Sequence, residues 1–339
     1  MRLLVTGGSG FLGGYVLAEA ARRGHEVAAL ARSNAAAATI AGRGATPLAG
    51  DLDDPARLPG VFREARGAAL VNLASLGFGH APAIVAAARA AGLDRAVFVS
   101  TTAVTTSLPA RSKQVRLAAE RHIRDSGLAW TILRPTMIYG AAGDRNLSRL
   151  LRMLTLVRVL PVPGGGKHLQ QPVHVADLAG AVLAAVERRA TAGTCYDVAG
   201  PEPIRFADLL RTAARVVGSR TLFVPVPLAP VVAAARGYEL FSARPRIRAE
   251  QLLRLAEDKA FVIDAAAREL GYAPRSFADG IQAEAAALGL IAGAAAGAGP
   301  NAAQCCLARL RHDRRSAAAV SRCRGPASRS QRSAREGGR

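Results

Sequence analysis

Large aromatic side chains are scarce in this sequence: Phe, Trp and Tyr make up 4% of 339 residues, with a single Trp and five Tyr. A core without large rings must be assembled from Ala, Val and Leu. Half of the residues are hydrophobic, enough for one large α/β domain or a domain with a smaller lobe. Lysine is confined to Lys113, Lys167 and Lys259 among 45 basic residues, an arginine excess that reflects genomic composition more than a nucleic-acid signature. Cysteine is also rare, and Cys195 alone precedes residue 300, so no disulfide framework is needed. No uninterrupted apolar run reaches the roughly 18 residues that suggest a membrane span. Residues 285–299 come nearest, but they are too short and too rich in Gly and Ala. The sequence starts on a strand without a charged leader, so no signal peptide and a cytoplasmic location are expected.

Acidic residues are outnumbered, and the net charge is +20. Much of that excess lies in residues 301–339, where ten arginines face only Asp313 and Glu336. This tail holds Cys305, Cys306 and Cys323, has no Phe, Trp or Tyr, and follows the linker-like GLIAGAAAGAG. Such a segment buries too little apolar surface to order itself. Without aromatics it has no base-stacking platform, so no nucleic-acid partner is expected, while peripheral contact with an anionic membrane stays open.

What is present is an alternation of short β-rich runs with helical stretches over the first 140 residues. RLLVTG, HEVAALA, ATPLAGD, AALVNLA, RAVFVS and LAWTILRP read as strands, and residues 11–23, 54–66, APAIVAAARAAG and 112–126 as helices. Continuous apolar strands separated by helices predict a Rossmann-type, doubly wound parallel sheet covered on both faces. The expected organisation is a nucleotide-binding domain over 1–140, its sheet completed by later segments. A smaller α/β substrate lobe follows over 141–288, then a linker and basic tail over 289–339. PVPGGGKHLQQP reads as a loop, TCYDVAG and TLFVPVP as short strands, and 176–189, 206–217 and 248–257 as helices.

TGGSGFLGG lies between the first strand and the first helix, with Gly7, Gly10 and Gly13 in a G-x-x-G-x-x-G pattern. Gly7 permits the tight turn, Gly10 the approach of a pyrophosphate, and Gly13 close helix–strand packing. The helix N-terminus behind them presents free N–H groups to phosphates. The second strand ends on Ala31, Arg32 and Ser33, where an NAD site commonly carries Asp or Glu. A guanidinium there suits the 2′-phosphate of NADP, so NADP(H) is favoured over NAD(H).

The chain resembles the short-chain dehydrogenase/reductase superfamily, closest to its extended and atypical branches, the NAD-dependent epimerase/dehydratases. The resemblance spans roughly residues 1–285. It rests on TGGSGFLG, GDL at 50–52, VNLA at 71–74, FVSTTAV at 98–104, LRPTMIYG at 133–140, QQPVHVADLA at 170–179 and LGYAPRSFADGI at 270–281. It implies that Phe11 and Leu12 belong to the cofactor loop, that Asp51 and Leu52 contact adenine, and that Asn72, Leu73 and Ala74 line the cofactor. It further implies Thr101 beside the cofactor, Thr102 as the catalytic hydroxyl, and Pro135, Thr136 and Met137 at the nicotinamide end. Each has a plainer alternative: Thr102 as a helix cap, Pro135 as a strand end. In QQPVHVADLA, Asp177 reads as the cap of a helix starting near 178 and His174 as structural. No metal site is expected.

The family's tyrosine, four residues before a lysine, is missing. Glu120 matches a family glutamate one turn beyond that lysine, which puts Arg116 at the lysine position and Ser112 at the tyrosine position. Taking Lys113 as the lysine puts Pro109 there instead. Tyr15, Tyr139, Tyr196, Tyr238 and Tyr272 are followed at the fourth position by Glu19, Gly143, Gly200, Ser242 and Ser276, so none restores the motif. Arg116 can hold ribose oxygens but does not exchange a proton near neutral pH, and Ser112 is too weak an acid. Lys113 is either a desolvated acid/base or a plain lysine in the first turn of a helix. Two readings stay open: an NADP-dependent oxidoreductase or epimerase lacking Tyr-x-x-x-Lys, and a non-catalytic dinucleotide-binding protein like the atypical members that accompany respiratory complex I. The substrate is left open, with Arg145, Arg149, Lys167 and His168 as cations suited to an anion.

Overall fold

The alternation of apolar residues within each strand sets the architecture of the computed structural model, which describes residues 1–108, 111–140, 143–144, 146–242 and 249–292. Strands β1 (Arg2–Thr6), β2 (Glu26–Ala31), β3 (Thr46–Ala49), β4 (Ala69–Asn72), β5 (Arg95–Val99) and β6 (Ala129–Pro135) alternate with α1 (Phe11–Arg22), α2 (Asn34–Ala41), α3 (Leu58–Glu64), α4 (Ala81–Ala90) and α5 (Arg111–Arg124). Successive strand residues point to opposite faces. Leu3, Val5, Val71, Val97 and Leu133 therefore enter a core shared with Val16 and Leu17 of α1. Leu4, Leu70, Phe98 and Ile132 enter a second core with Phe62, Ile84 and Ile123 from α3, α4 and α5. Helix α2 has no counterpart among the sequence expectations. Ser33 caps it by accepting from the Ala36 N–H, and its short Ala-rich face buries only Ile40.

The chain then forms β7 (Ile138–Tyr139), α6 (Leu147–Leu154), β8 (Val159–Pro163), β9 (Leu169–Gln170), β10 (Val173–His174), α7 (Val175–Glu187), β11 (Thr194–Val198), β12 (Ile204–Arg205), α8 (Phe206–Val216), β13 (Leu222–Val226), α9 (Leu228–Phe241), α10 (Ala249–Leu255), α11 (Asp264–Leu270) and α12 (Phe277–Ala287). TCYDV, read from sequence with the lobe, returns to the main sheet. β11 pairs parallel with β6, giving a seven-stranded sheet ordered β3-β2-β1-β4-β5-β6-β11. α7 contributes Leu178 and Val182 to the core over α1. PVPGGGKHLQQP is not wholly a loop, because Pro161 and Pro163 lie in β8, paired parallel with β13, its glycines form one 3-10 turn, and Leu169–Gln170 form β9. The lobe has its own core around Leu151, Leu209, Phe277 and Ile281. Arg145, the end of the linker and the basic tail with its cysteines lie outside the described residues. No described helix is long and apolar enough to cross a membrane.

Candidate active site

β1 and β4 are neighbours, yet α1 and α4 pack on opposite faces, so a crevice opens at the C-terminal ends of these strands. The glycine loop fills its mouth. Gly7 has φ +74°, and a Cβ there would lie 3.0 Å from the Ala74 nitrogen. On Gly13 a Cβ would lie 2.4 Å from the Gly7 carbonyl oxygen and 2.5 Å from that of Gly8, so α1 approaches the loop only without a side chain. Gly10 begins the helix with no side-chain cap, leaving the first N–H groups of α1 free for an anion. This backbone cradle fits a dinucleotide pyrophosphate.

Around it the expected cofactor residues take differing positions. Leu12 is buried beneath the loop and Phe11 is half-buried, stacked edge-on against Tyr15. Asn72 is fully buried; its Oδ1 accepts from Thr6 Oγ1 at 2.6 Å and its Nδ2 donates to the Ala74 carbonyl at 3.0 Å. Its amide thus shapes the crevice floor, with half-buried Leu73 and Ala74 above it. Asp51 and Leu52 follow β3, half-buried, and Arg32 projects from the end of β2 into solvent. Sequence reading missed Arg43, just beyond α2. Its Nη1 donates to the carbonyls of Gly8 at 2.7 Å and Gly10 at 3.2 Å. Its guanidinium occupies the space of a Cβ on Gly14. Among the described residues it has no carboxylate within ion-pair distance, and burial lowers its pKa. The only signal was its place in Gly-Arg-Gly behind α2.

The end of β5 carries the Ser-Thr-Thr segment. Thr101 caps a 3-10 turn by accepting from Ala103 N–H, and Thr102, buried, donates to the Pro135 carbonyl at 3.3 Å. Thr136 N–H donates to Val198 O, joining the end of β6 to β11. On α5, Glu120 is fully buried and accepts from Ser100 Oγ at 2.7 Å, Arg134 Nε at 3.0 Å and Arg124 Nη2 at 3.1 Å. Burial opposes its charge, but the donors from Arg134 and Ser100 hold its pKa below the usual range. One turn earlier, Arg116 lies against Gly77, and burial, then Arg254, lowers its pKa. Its Nη1 donates to the Ser112 carbonyl at 3.4 Å. Ser112 and Lys113 are half-buried, and the Lys113 ammonium donates to the Thr106 carbonyl.

A cavity of about 970 Å³ opens beside these strand ends, lined by Thr101, Thr102 and Thr106 at β5 and by Thr136 and Met137 at β6. Lobe residues Arg149, Phe206, Arg254, Lys259 and Phe261 form its far wall. Ser112, Lys113, Lys167 and His168 are not among its lining residues. Lys259, half-buried, carries a pKa lowered first by burial, a second residue that sequence reading passed over.

His174 and Asp177 lie apart from this cavity. The expectation that Asp177 caps a helix near 178 is corrected: α7 begins at Val175, and His174 caps it, Nδ1 accepting from Ala176 N–H. Asp177 instead accepts from Arg275, at 2.8 Å from Nη2 and 3.0 Å from the backbone N–H. The cause is local geometry, since only His174 precedes the first helical N–H groups. Burial, then the Arg275 charge, pushes His174 down to about 4. Glu284 on α12 is fully buried, and burial, then Asp144, pushes its carboxyl up to about 8.

Residues 7–188 match a protein family described as NAD(P)H-binding. A 4-hydroxy-2-methyl-3-oxo-4-farnesyl-3,4-dihydroquinoline-1-oxide ketoreductase of Stigmatella aurantiaca is 30% identical over 81% of this chain and 92% of its own length. A 3-diazoavenalumate denitrifying reductase of Streptomyces sp is 32% identical over 68% of this chain and 86% of its own. Among solved structures, the Thermus thermophilus UDP-glucose 4-epimerase in complex with NAD superposes with a TM-score of 0.65 at 21% identity, covering 85% of this chain and 98% of that one, a likeness of fold.

Proposed function

The chain belongs to the NAD(P)-binding short-chain dehydrogenase/reductase superfamily, and on that premise we propose that it is an NADP(H)-dependent reductase of a carbonyl substrate. The observation that carries the proposal is the cavity against Thr102 and Met137, at the strand ends beside the cofactor crevice. The cavity extends from these strand ends to the lobe residues Arg149, Phe206 and Phe261, which leaves room for a substrate beyond the nicotinamide end. Relatives that span most of the chain are named reductases, which favours reduction over epimerisation.

When bound, a nicotinamide dinucleotide would supply hydride to the substrate's carbonyl carbon. The glycine loop and the N-terminus of α1 would hold its pyrophosphate, and Arg116 its nicotinamide ribose. Thr102 would donate to the substrate oxygen, exchanging its weak bond to Pro135 O. Oxygen then gains a proton from water entering the open cavity. Lys113 braces the turn after Thr102 through the Thr106 carbonyl. NADP preference is supported by Ala31 and Arg32 where an NAD site carries an acid, and by the cation Arg43 on the glycine loop.

NADPH oxidation measured against a panel of ketones and quinones tests the proposal. Turnover is expected, reduced by about 100-fold in Thr102→Val, the scale for loss of one donor to a developing oxyanion. NADPH that binds tightly but is oxidised by no carbonyl compound would leave the protein a dinucleotide binder.

A further inference from the structure

The far wall of the cavity carries the cations Arg254 and Lys259 beside the carboxylates Glu257 and Asp258. After α10 the chain runs extended and is strapped to the lobe: Lys259 N–H donates to Leu169 O at 2.9 Å and Phe261 N–H to Gln171 Oε1 at 2.7 Å. The Glu257 carboxylate on this strap is engaged through both oxygens. Glu257 Oε2 accepts from Thr106 Oγ1 at 2.5 Å, and Oε1 accepts from the Ser107 N–H at 2.9 Å and hydroxyl at 2.5 Å. Asp258 Oδ1 accepts from Leu169 N–H at 2.8 Å, and its side chain is 63% exposed. The cations are less engaged. Lys259 Nζ donates to the Arg254 carbonyl at 2.9 Å, its one hydrogen bond among the described residues. Arg254 pairs with Glu250 through Nη2, but its Nε is buried with no partner among the described residues.

We propose that Arg254 and Lys259 form a carboxylate seat, and that the substrate is an oxo acid whose carbonyl lies at Thr102 while its carboxylate accepts from these two residues. This deepens the reductase reading and rests on it for the position of the carbonyl. Two N–H groups of opposite charge to a carboxylate, in a partly desolvated wall, favour an anion over a neutral polar group. A lysine that merely capped the C-terminus of α10 would do so from solvent; here burial lowers the Lys259 pKa, the Glu257 carboxylate offsets this only in part, and Arg254 adds to it, a cost that a bound anion removes. Met137, Leu150, Phe206, Leu255 and Phe261 line the same cavity, so the remainder of the substrate is apolar, an alkyl or aryl chain. One compact anion seat on an apolar bed suits an oxo acid better than a nucleotide sugar, whose diphosphate and base need a longer polar track.

The test uses the full chain loaded with NADP+, with decanoate, decanol and decyl phosphate as probes in calorimetry. Decanoate is expected to bind at least about tenfold tighter than decanol, the equivalent of one charge-assisted hydrogen bond. Lys259→Met is expected to abolish that preference while leaving decanol and NADP+ affinity unchanged, and Lys259→Arg to restore it. Equal affinity for decanoate and decanol, or a preference that survives both Lys259→Met and Arg254→Met, would overturn the seat. Tighter binding of decyl phosphate than of decanoate would overturn the assignment to a carboxylate. Turnover is read separately, with 3-oxodecanoate and its methyl ester against NADPH. Acid reduced in preference to ester supports the whole proposal. Decanoate seated as expected, with neither oxo compound reduced, leaves the seat standing and removes the reductase reading.

Discussion

At the scale of single residues, the cofactor crevice depends on atoms that are absent. Gly13→Ala would place a methyl group inside the contact distance of two backbone carbonyls, so the loop must move. The expected outcome is a loss of roughly tenfold or more in affinity for both NADPH and NADH, read by titration of the cofactor's fluorescence. Arg32 and Arg43 are expected to act differently, by discriminating between the two cofactors. Arg32→Asp should weaken NADPH by about tenfold and raise NADH affinity, because a carboxylate there repels the 2′-phosphate and accepts from a ribose hydroxyl. Arg43→Met should weaken NADPH more than NADH, and equal losses would make it a brace of the Gly8 and Gly10 carbonyls alone.

At the scale of elements, buried ionic groups tie helices to the sheet. Glu120 anchors α5 to β5 and β6 through Ser100 and Arg134. Removing a fully buried partner leaves the other charge uncompensated, so Glu120→Ala should destabilise by about 3 kcal/mol, measured by denaturant unfolding. Because the same network sets the position of α5, Arg116 should lose its hold near Gly77, raising KM for the cofactor along with the loss of stability. Arg95 plays the matching part for α7. At the first residue of β5 it donates to Thr131 Oγ1 at 2.9 Å and Thr191 Oγ1 at 2.7 Å, and to the Ala185 carbonyl.

At the scale of the whole molecule, two buried titratable groups act on stability in opposite directions. His174, held down to about 4, is neutral in the folded protein where the unfolded chain would take up a proton. Between about pH 6.5 and pH 4 the unfolded state therefore binds more protons, and stability falls as the pH falls. Glu284, pushed up to about 8, keeps its proton in the folded state where the unfolded chain has lost it. Between about pH 4.5 and pH 8 stability therefore falls as the pH rises. The expected Tm profile is a dome with its maximum near pH 5 to 6. Glu284→Gln, isosteric and uncharged, should raise Tm at about pH 8 and change it little at about pH 5. A wild-type Tm that stays flat across this range would contradict both assignments.

The parallel sheet was legible because β1, β4 and β5 are runs of Leu, Val, Ala and Phe too short for helices and bounded by glycine. The cradle was legible because Gly7, Gly10 and Gly13 do their work in the backbone, within one turn of sequence. Helix α2 escaped because five of the eight residues of Asn34–Ala41 are alanine, with no polar face to reveal a period. Arg43 and Lys259 escaped for another reason: each is an ordinary cation in sequence and becomes unusual only through what surrounds it. The sequence by itself determined the nucleotide-binding half, because its glycine and strand spacing is local. Only the tertiary structure decided that Lys113 braces a turn, that His174 rather than Asp177 caps α7, and that Arg254 and Lys259 form a wall facing Thr102. Burial and the choice of partner depend on contacts between segments some 150 residues apart, such as Glu257 with Thr106, and no local pattern encodes them.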